Sequence, residues 1–173
     1  MIHFTSDLHA FHKNIIAYDN LPYVSLDEYR YYITKTWNRQ VKEDDEVYLL
    51  GDTCVGGRSG EIKKFLESLN GIKYLIKGNH EKEIMNTSYL RDMFVWIKDY
   101  HILDYEKKRF VLFHFPIESW QNKSNGSVHL HGHSHGKSLN IKNRLDVGFN
   151  QVGVISIEEI INSLNNKNNY EIS

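Results

Sequence analysis

Five strand-like runs in this chain stop at side chains that can bind a metal, and this feature narrows the possible folds more than any other. The densest is Val128 to His135, which reads Val-His-Leu-His-Gly-His-Ser-His and holds four of the ten histidines. Its apolar alternation leads into Gly132, whose missing Cβ permits a sharp exit from a strand, and His133 and His135 follow. Imidazoles two apart on such a turn can reach two neighbouring ions, whereas on a continued strand they would point the same way. The other runs end alike: Ile2 to Ser6 at Asp7-Leu8-His9, Val47 to Leu50 at Gly51-Asp52, Lys73 to Lys77 at Gly78-Asn79-His80-Glu81, and Arg109 to Phe113 at His114. In an open α/β sheet the strand ends along one edge face a common crevice. The sequence therefore predicts that these groups meet.

Helical patterns separate the strands. Ser25 and Glu28 have capping-box spacing, and Leu26, Tyr29, Ile33, Trp37 and Val41 follow at three- or four-residue steps. Ile62, Phe65, Leu66 and Leu69 mark a second helical face closed by Asn70-Gly71. Strand and helix in alternation give an α/β layer structure rather than a sandwich of sheets alone or a bundle. Farther on, Tyr100 to Tyr105 and Arg109 to Phe113 flank Glu106-Lys107-Lys108 as a hairpin, residues 117–126 form a polar loop, and Arg144 to Phe149 is one more strand. Ser156 caps a last helix carrying Ile157, Ile160, Ile161 and Leu164. Residues 1–164 are read as one domain and the asparagine-rich stretch 165–173 as a flexible tail.

A chain of 173 residues buries about 70% of its unfolded surface and needs no covalent staple. The formal net charge of −1 gives no electrostatic footprint of a nucleic-acid or membrane binder. Cys54 is the one cysteine, read as a small buried side chain, and nothing points to an oxidising compartment. With no signal-peptide pattern after Met1 and no bilayer-length apolar run, the expectation is a soluble, cytoplasmic protein.

Taken in order, Asp7-Leu8-His9, Gly51-Asp52, Gly78-Asn79-His80-Glu81, His114 and Gly132-His133-Ser134-His135 resemble the signature of the calcineurin-like metallophosphoesterases, in the small single-domain form found in bacteria and phages. The resemblance spans residues 1 to about 150. It implies a four-layer α/β/β/α sandwich with two central mixed sheets and two divalent metal ions at the strand ends. It puts Asp7, His9 and His135 on one ion and Asn79, His114 and His133 on the other, with Asp52 bridging. Oxygen and nitrogen donors suit manganese, iron, nickel or zinc, with manganese the expected ion in assays.

The implied reaction is hydrolysis of a phosphate ester by a hydroxide held between the metals, with His80 protonating the leaving alkoxide. Asp52 and His80 are thus the expected catalytic groups. His12 and Arg58, with Asn79, are candidates for contacts to the substrate phosphate. Trp96 and Trp120 could stack on a base, though such aromatics more often pack; His3, His101, His129 and His131 are read as structural. Phosphatases of the calcineurin type carry Gly-Asp-x-Val-Asp-Arg-Gly, whereas Gly51-Asp52-Thr53-Cys54-Val55-Gly56-Gly57-Arg58 lacks the second aspartate, which argues against a protein phosphatase. The favoured activity is a phosphodiesterase on nucleotides or a similar small phosphodiester, because the chain is too short for a cap domain and leaves an open groove. A phosphomonoesterase is the alternative, and a metal-binding scaffold without catalysis, as in the retromer subunit of this fold, is the third.

Overall fold

A computed structural model describes residues 1–170. In chain order it runs β1 (Ile2–Thr5), α1 (Ile15–Tyr18), α2 (Leu26–Gln40), β2 (Glu46–Leu49), α3 (Ser59–Glu67), β3 (Ile72–Ile76), α4 (Lys82–Asn86), α5 (Ser88–Arg91), β4 (Ile97–Lys98) and β5 (Tyr100–Tyr105). It continues through β6 (Lys108–Phe113), β7 (Val128–His131), β8 (Arg144–Asp146), α6 (Phe149–Val152), β9 (Ile155–Ser156) and α7 (Ile157–Tyr170). The first sheet has the order β4-β3-β2-β1-β9, parallel except for β9; the second has the order β5-β6-β7-β8, parallel except for β5. Both sheets are therefore mixed, as expected.

Period-two alternation sorts the side chains between two cores. Val47, Leu49 and Leu75 face the helices, where Tyr29, Ile33 and Trp37 of α2 and Ile62 and Leu66 of α3 are fully buried. The opposite face of the sheet presents Phe4, Tyr48, Leu50 and Ile76 to Phe110, Leu112, Val128 and Leu130 of the second sheet, and α7 adds Ile157, Ile160 and Leu164. Stacked rings join the layers: Phe4 lies 5.6 Å from Tyr48 and 6.2 Å from Phe110. The outer face of the second sheet is covered by the loop after β6, whose Trp120 is buried against the His129 ring. Trp96 likewise packs, against Tyr74 and His101.

The caps follow the sequence with small shifts. Ser25 accepts the Glu28 N–H, while the Glu28 carboxylate reaches Val24 N–H, one residue earlier than the capping box requires. At α7 the box is reciprocal, Glu159 N–H to Ser156 Oγ and Ser156 N–H to the Glu159 carboxylate. One strand differs from expectation. β8 ends at Asp146 rather than Phe149, because the Asp146 carboxylate accepts the Gly148 N–H and turns the chain into α6. The stretch 165–173, expected as a tail, lies partly at the end of α7, and its residues 171–173 lie outside the described residues. No helix among the described residues is long and apolar enough to cross a membrane.

What matters for the site is register. Thr5, Leu49 and Leu75 stand level across the first sheet, and Leu112, Leu130 and Leu145 across the second. The carboxyl ends of both sheets then meet, tied by the Ser6–Gly148 bridge, by Phe149 N–H to Ser6 O at 2.8 Å, and by His133 N–H to Asp7 Oδ2 at 2.9 Å.

Candidate metal centre

Where the two sheets meet, their ends deliver two clusters. Asp7, His9 and His135 form one and Asp52, His114 and His133 the other, the donor atoms of each lying within 4.8 Å of one another. A single carboxylate oxygen stands between them: Asp52 Oδ2 is 3.7 Å from His9 Nε2 and 3.6 Å from His114 Nε2. Such distances exceed a hydrogen bond and match atoms that share an ion. Each aspartate divides its oxygens. Asp7 Oδ2 accepts the His133 N–H and Asp52 Oδ1 the His80 N–H, both at 2.9 Å, so one oxygen of each fixes a loop and the other points inward.

Close backbone packing makes this possible. A Cβ at Gly132 would stand 1.9 Å from Ser6 Oγ and 2.1 Å from Asp7 Oδ2, and a Cβ at Gly78 would stand 2.2 Å from Asp52 Oδ1. Glycine is what lets one loop lie directly on another here.

The residues fit a divalent ion by a test that needs no resemblance. Asp7 Oδ1 and both ring nitrogens of His9 are buried without a hydrogen-bond partner, a costly arrangement for polar atoms unless something else binds them. His114 adds a second sign. Its Nδ1 lies 2.7 Å from the Leu50 carbonyl, which can only accept, so the Nε2 lone pair faces outward at 3.0 Å from Asn79 Oδ1. Two acceptors facing each other at this distance fit ligands of one cation. Burial and the neighbouring His114 lower the pKa of His133, keeping it in the neutral form that binds metal. Burial raises the Asp7 carboxyl, but the neighbouring His9 and Ser6 side chains outweigh it and leave the group below its ordinary value.

The remaining expected residues are distributed unevenly. His80 is exposed in the cleft, its ring 6.1 Å from that of His9. His12 also lines the cleft, with its ring 5.7 Å from His9 and 5.6 Å from Tyr18. Asn79 is exposed beside His114. Arg58 is exposed at the start of α3, where its N–H meets Glu61, and is not among the residues lining the cleft. The cleft encloses about 430 Å³ and is completed by Tyr18, Asp19, Ser134 and Lys137. A larger open depression of about 620 Å³ lies at the β5–β6 turn, the opposite end of these strands, away from both clusters.

Three carboxylates support the site. Asp146 accepts Ser134 Oγ–H at 2.8 Å and Gly136 N–H at 2.9 Å, fixing the loop of His133 and His135. Glu81, fully enclosed, accepts Thr53 N–H at 3.0 Å, and burial, with Asp52 nearby, pushes its carboxyl up to about 7. Asp19 accepts from His135 Nδ1 at 2.8 Å. Neither Asp19 nor Asp146 stands in a motif; Asp146 carried one signal, being a carboxylate inside a strand-like run that ends at the same edge.

Residues 1–106 match the family model of the calcineurin-like phosphoesterases. An uncharacterised protein of Methanocaldococcus jannaschii is 32% identical over 139 residues, covering 80% of this chain and 71% of that protein. The Gene 66 protein of Mycobacterium phage L5 is 28% identical over 94% of this chain and 93% of its own. Among solved structures, a protein of unknown function from Aquifex aeolicus superposes with a TM-score of 0.73 at 25% identity, over 94% of this chain and 98% of that one. With the family match spanning more than half of the sequence and a two-cluster donor set at the strand ends, the chain belongs to the calcineurin-like phosphoesterases, metal-dependent hydrolases of phosphate esters.

Proposed function

We propose that the protein is a phosphodiesterase acting on nucleotides or a similar small phosphodiester. The observation that carries this reading is the pair of aromatic walls beside the clusters. On one side His12 and Tyr18 lie ring to ring at 5.6 Å; on the other Phe115 lies 4.7 Å from the His133 ring and 5.5 Å from Phe113. Tyr18 is 66% and Phe115 36% exposed, so both can receive an organic group. A phosphodiester carries two such groups and a monoester one.

In this reading Asp7, His9 and His135 would hold one ion and Asn79, His114 and His133 the other, and Asp52, standing between the clusters, would serve both. Bound there, a pair of divalent ions supplies Lewis-acid polarisation of the phosphoryl oxygens and an activated water. The donors are oxygen and nitrogen only, which suits manganese, the ion to be used first in assays, as well as iron, nickel or zinc. His80 gives its proton to the leaving alkoxide oxygen, and His12 donates to a phosphoryl oxygen at the cleft wall. Arg58 has no part in this scheme. The lone cysteine, Cys54, is buried, with burial raising its thiol well above the usual range, which suits a protein working in the cytoplasm.

The test compares bis-p-nitrophenyl phosphate, p-nitrophenyl phosphate and a dinucleotide, each with manganese, nickel and zinc. Faster turnover of the diesters is expected. Preference for the monoester would make the protein a phosphomonoesterase, and no turnover at full metal occupancy would leave a scaffold.

A further inference from the structure

Asp19 lies outside every sequence motif, in the segment just after α1, yet its carboxylate is 9% exposed and fully engaged. Both oxygens lie within hydrogen-bond reach of His135 Nδ1, at 2.9 and 2.8 Å, and Oδ2 also accepts Asn150 Nδ2–H at 2.8 Å. A carboxylate can only accept, so the directions along this chain are fixed. The Asn150 amide turns its NH2 toward Asp19, and its Oδ1 is left for the Tyr29 hydroxyl at 3.1 Å. Tyr29 is itself fully buried in α2, among the largest side chains of the helical core. At the other end, with the proton on Nδ1, the Nε2 lone pair of His135 faces Asp7 Oδ1 at 3.8 Å.

We propose that Asp19 is a positioning residue for the metal centre: it holds His135 in the Nδ1–H tautomer with Nε2 aimed at the ion beside Asp7, and Asn150 and Tyr29 anchor it to the core. This rests on the reading of His135 as a ligand. Two ligand histidines have their outer ring nitrogen engaged: His114 by a backbone carbonyl at 2.7 Å, and His135, a left-handed residue (φ 47°) in a partly exposed loop, by the Asp19 carboxylate. Among the described residues Asp19 alone engages that of His135. A carboxylate behind a metal-bound imidazole also raises the basicity of the ligand atom, and removing such a partner costs about 10–100-fold in metal affinity.

The experiment is manganese and zinc binding to the full-length metal-free protein by calorimetry, with wild type, Asp19→Ala, Asp19→Asn, Asn150→Ala and His135→Ala. Asp19→Ala is expected to weaken one ion by about 10–100-fold and leave the other near wild type. Asp19→Asn, whose amide oxygen still accepts the Nδ1 proton, recovers part of that loss, and Asn150→Ala loses less than Asp19→Ala. A second readout needs no metal: the slowly exchanging Nδ1–H of His135, seen in imidazole-selective nitrogen-15 NMR of the metal-free protein, should vanish in Asp19→Ala and persist in Asn150→Ala. If His135→Ala loses an ion while Asp19→Ala and Asp19→Asn both bind two ions as wild type does, the positioning role is overturned and His135 remains a ligand. If His135→Ala itself binds both ions normally, the ligand reading falls and the proposal with it. Should Asp19→Ala fail to fold, the Asp19→Asn and Asn150→Ala comparisons decide alone: equal, wild-type binding in both rejects the role.

Discussion

The sharpest test of how the strand ends build the site is Gly78→Ala, because it adds one carbon and no polarity. That carbon would stand 2.2 Å from Asp52 Oδ1 and 2.5 Å from the Asp52 backbone nitrogen, where real Cβ contacts do not fall below 3.0 Å. The two loops must therefore part by at least about 0.8 Å. Backbone conformation is not at issue, since Gly78 is outside the left-handed region. Asp52 has little room to move: Oδ1 accepts His80 N–H, Oδ2 stands between the His9 and His114 rings, and a Cβ at Gly51 behind it would itself stand 2.5 Å from His114 Nδ1. Overpacking of this kind costs about 1–3 kcal/mol, which lowers the melting temperature by about 2–12 °C in a chain of this size. The added carbon also pushes on the oxygen that anchors the proposed bridge, so both ions should weaken together. Thermal melts of metal-free protein and elemental analysis after dialysis read the two effects. The control is Gly60→Ala in α3, where an added Cβ meets nothing within 4 Å and should stabilise by up to about 1 kcal/mol. A Gly78→Ala protein that melts with wild type and keeps two ions would show that the loops are not in the close contact described.

Asp52→Asn should lower the affinity for both ions at once, since the charge offsetting their repulsion is gone, while His9→Ala mainly empties one; elemental analysis decides, and two tightly held ions in Asp52→Asn would exclude the bridge. His80→Ala should keep both metals and substrate affinity but lose about 10²–10⁴ in turnover of an alkyl ester, and far less on a nitrophenyl ester whose leaving group departs unprotonated. Equal loss on both substrates would take the acid role away from His80. Burial lowers the pKa of the His129 imidazole to about 4, against the opposing pull of the Val111 and Phe115 carbonyls. Because the unfolded chain then takes the proton first, stability should fall as pH drops from about 6.5 to about 4 and level off below, an effect worth up to about 3 kcal/mol that His129→Gln removes. Denaturant melts at pH 7 and pH 4.5 measure it, and parallel pH dependence in the two proteins would assign the acid sensitivity elsewhere.

The strand ends were legible because each is a short local pattern whose meaning does not depend on distant partners. A run of alternating apolar residues, then a glycine or a turn, then a carboxylate or imidazole can be read at Asp52 or His133 without knowing the register. The hairpin and the caps at Ser25 and Ser156 are local in the same way. What escaped the sequence is what contact across the chain creates. Asp19 meets His135 across 116 residues and Asn150 across 131, and no spacing rule connects them. The helices α1, α4, α5 and α6 hold only four or five residues each, too few for a 3.6-residue period to declare itself. Asp146 was hidden inside a strand read three residues too long, since only its hydrogen bond to Gly148 ends that strand. Arg58, a candidate for a phosphate contact, stands at the start of α3 and outside the residues lining the cleft.

The backbone at the centre shows why so few residue types would serve there. Asp7, His9, Asp52, His133 and His135 all have φ between 45° and 67°, in the left-handed region. That conformation costs an ordinary L-residue about 1–2 kcal/mol, and it gathers at functional sites when surrounding structure forces it. Here the forcing contacts are visible: Asp7 N–H is held by Gly51 O at 2.9 Å, His9 N–H by Asp52 O at 3.0 Å, and His133 N–H by the Asp7 carboxylate. Glycine would adopt these angles freely but brings no donor atom, and β-branched residues are the least tolerant of them. Aspartate and histidine are among the few residues that visit this region and also bind metal, so one requirement selects them twice. A strand must stop within one residue and still send its side chain inward between the two sheets. The left-handed turn achieves both, and the close-packed glycines at 78 and 132 then let the loops lie near enough for seven side chains from five strand ends to converge.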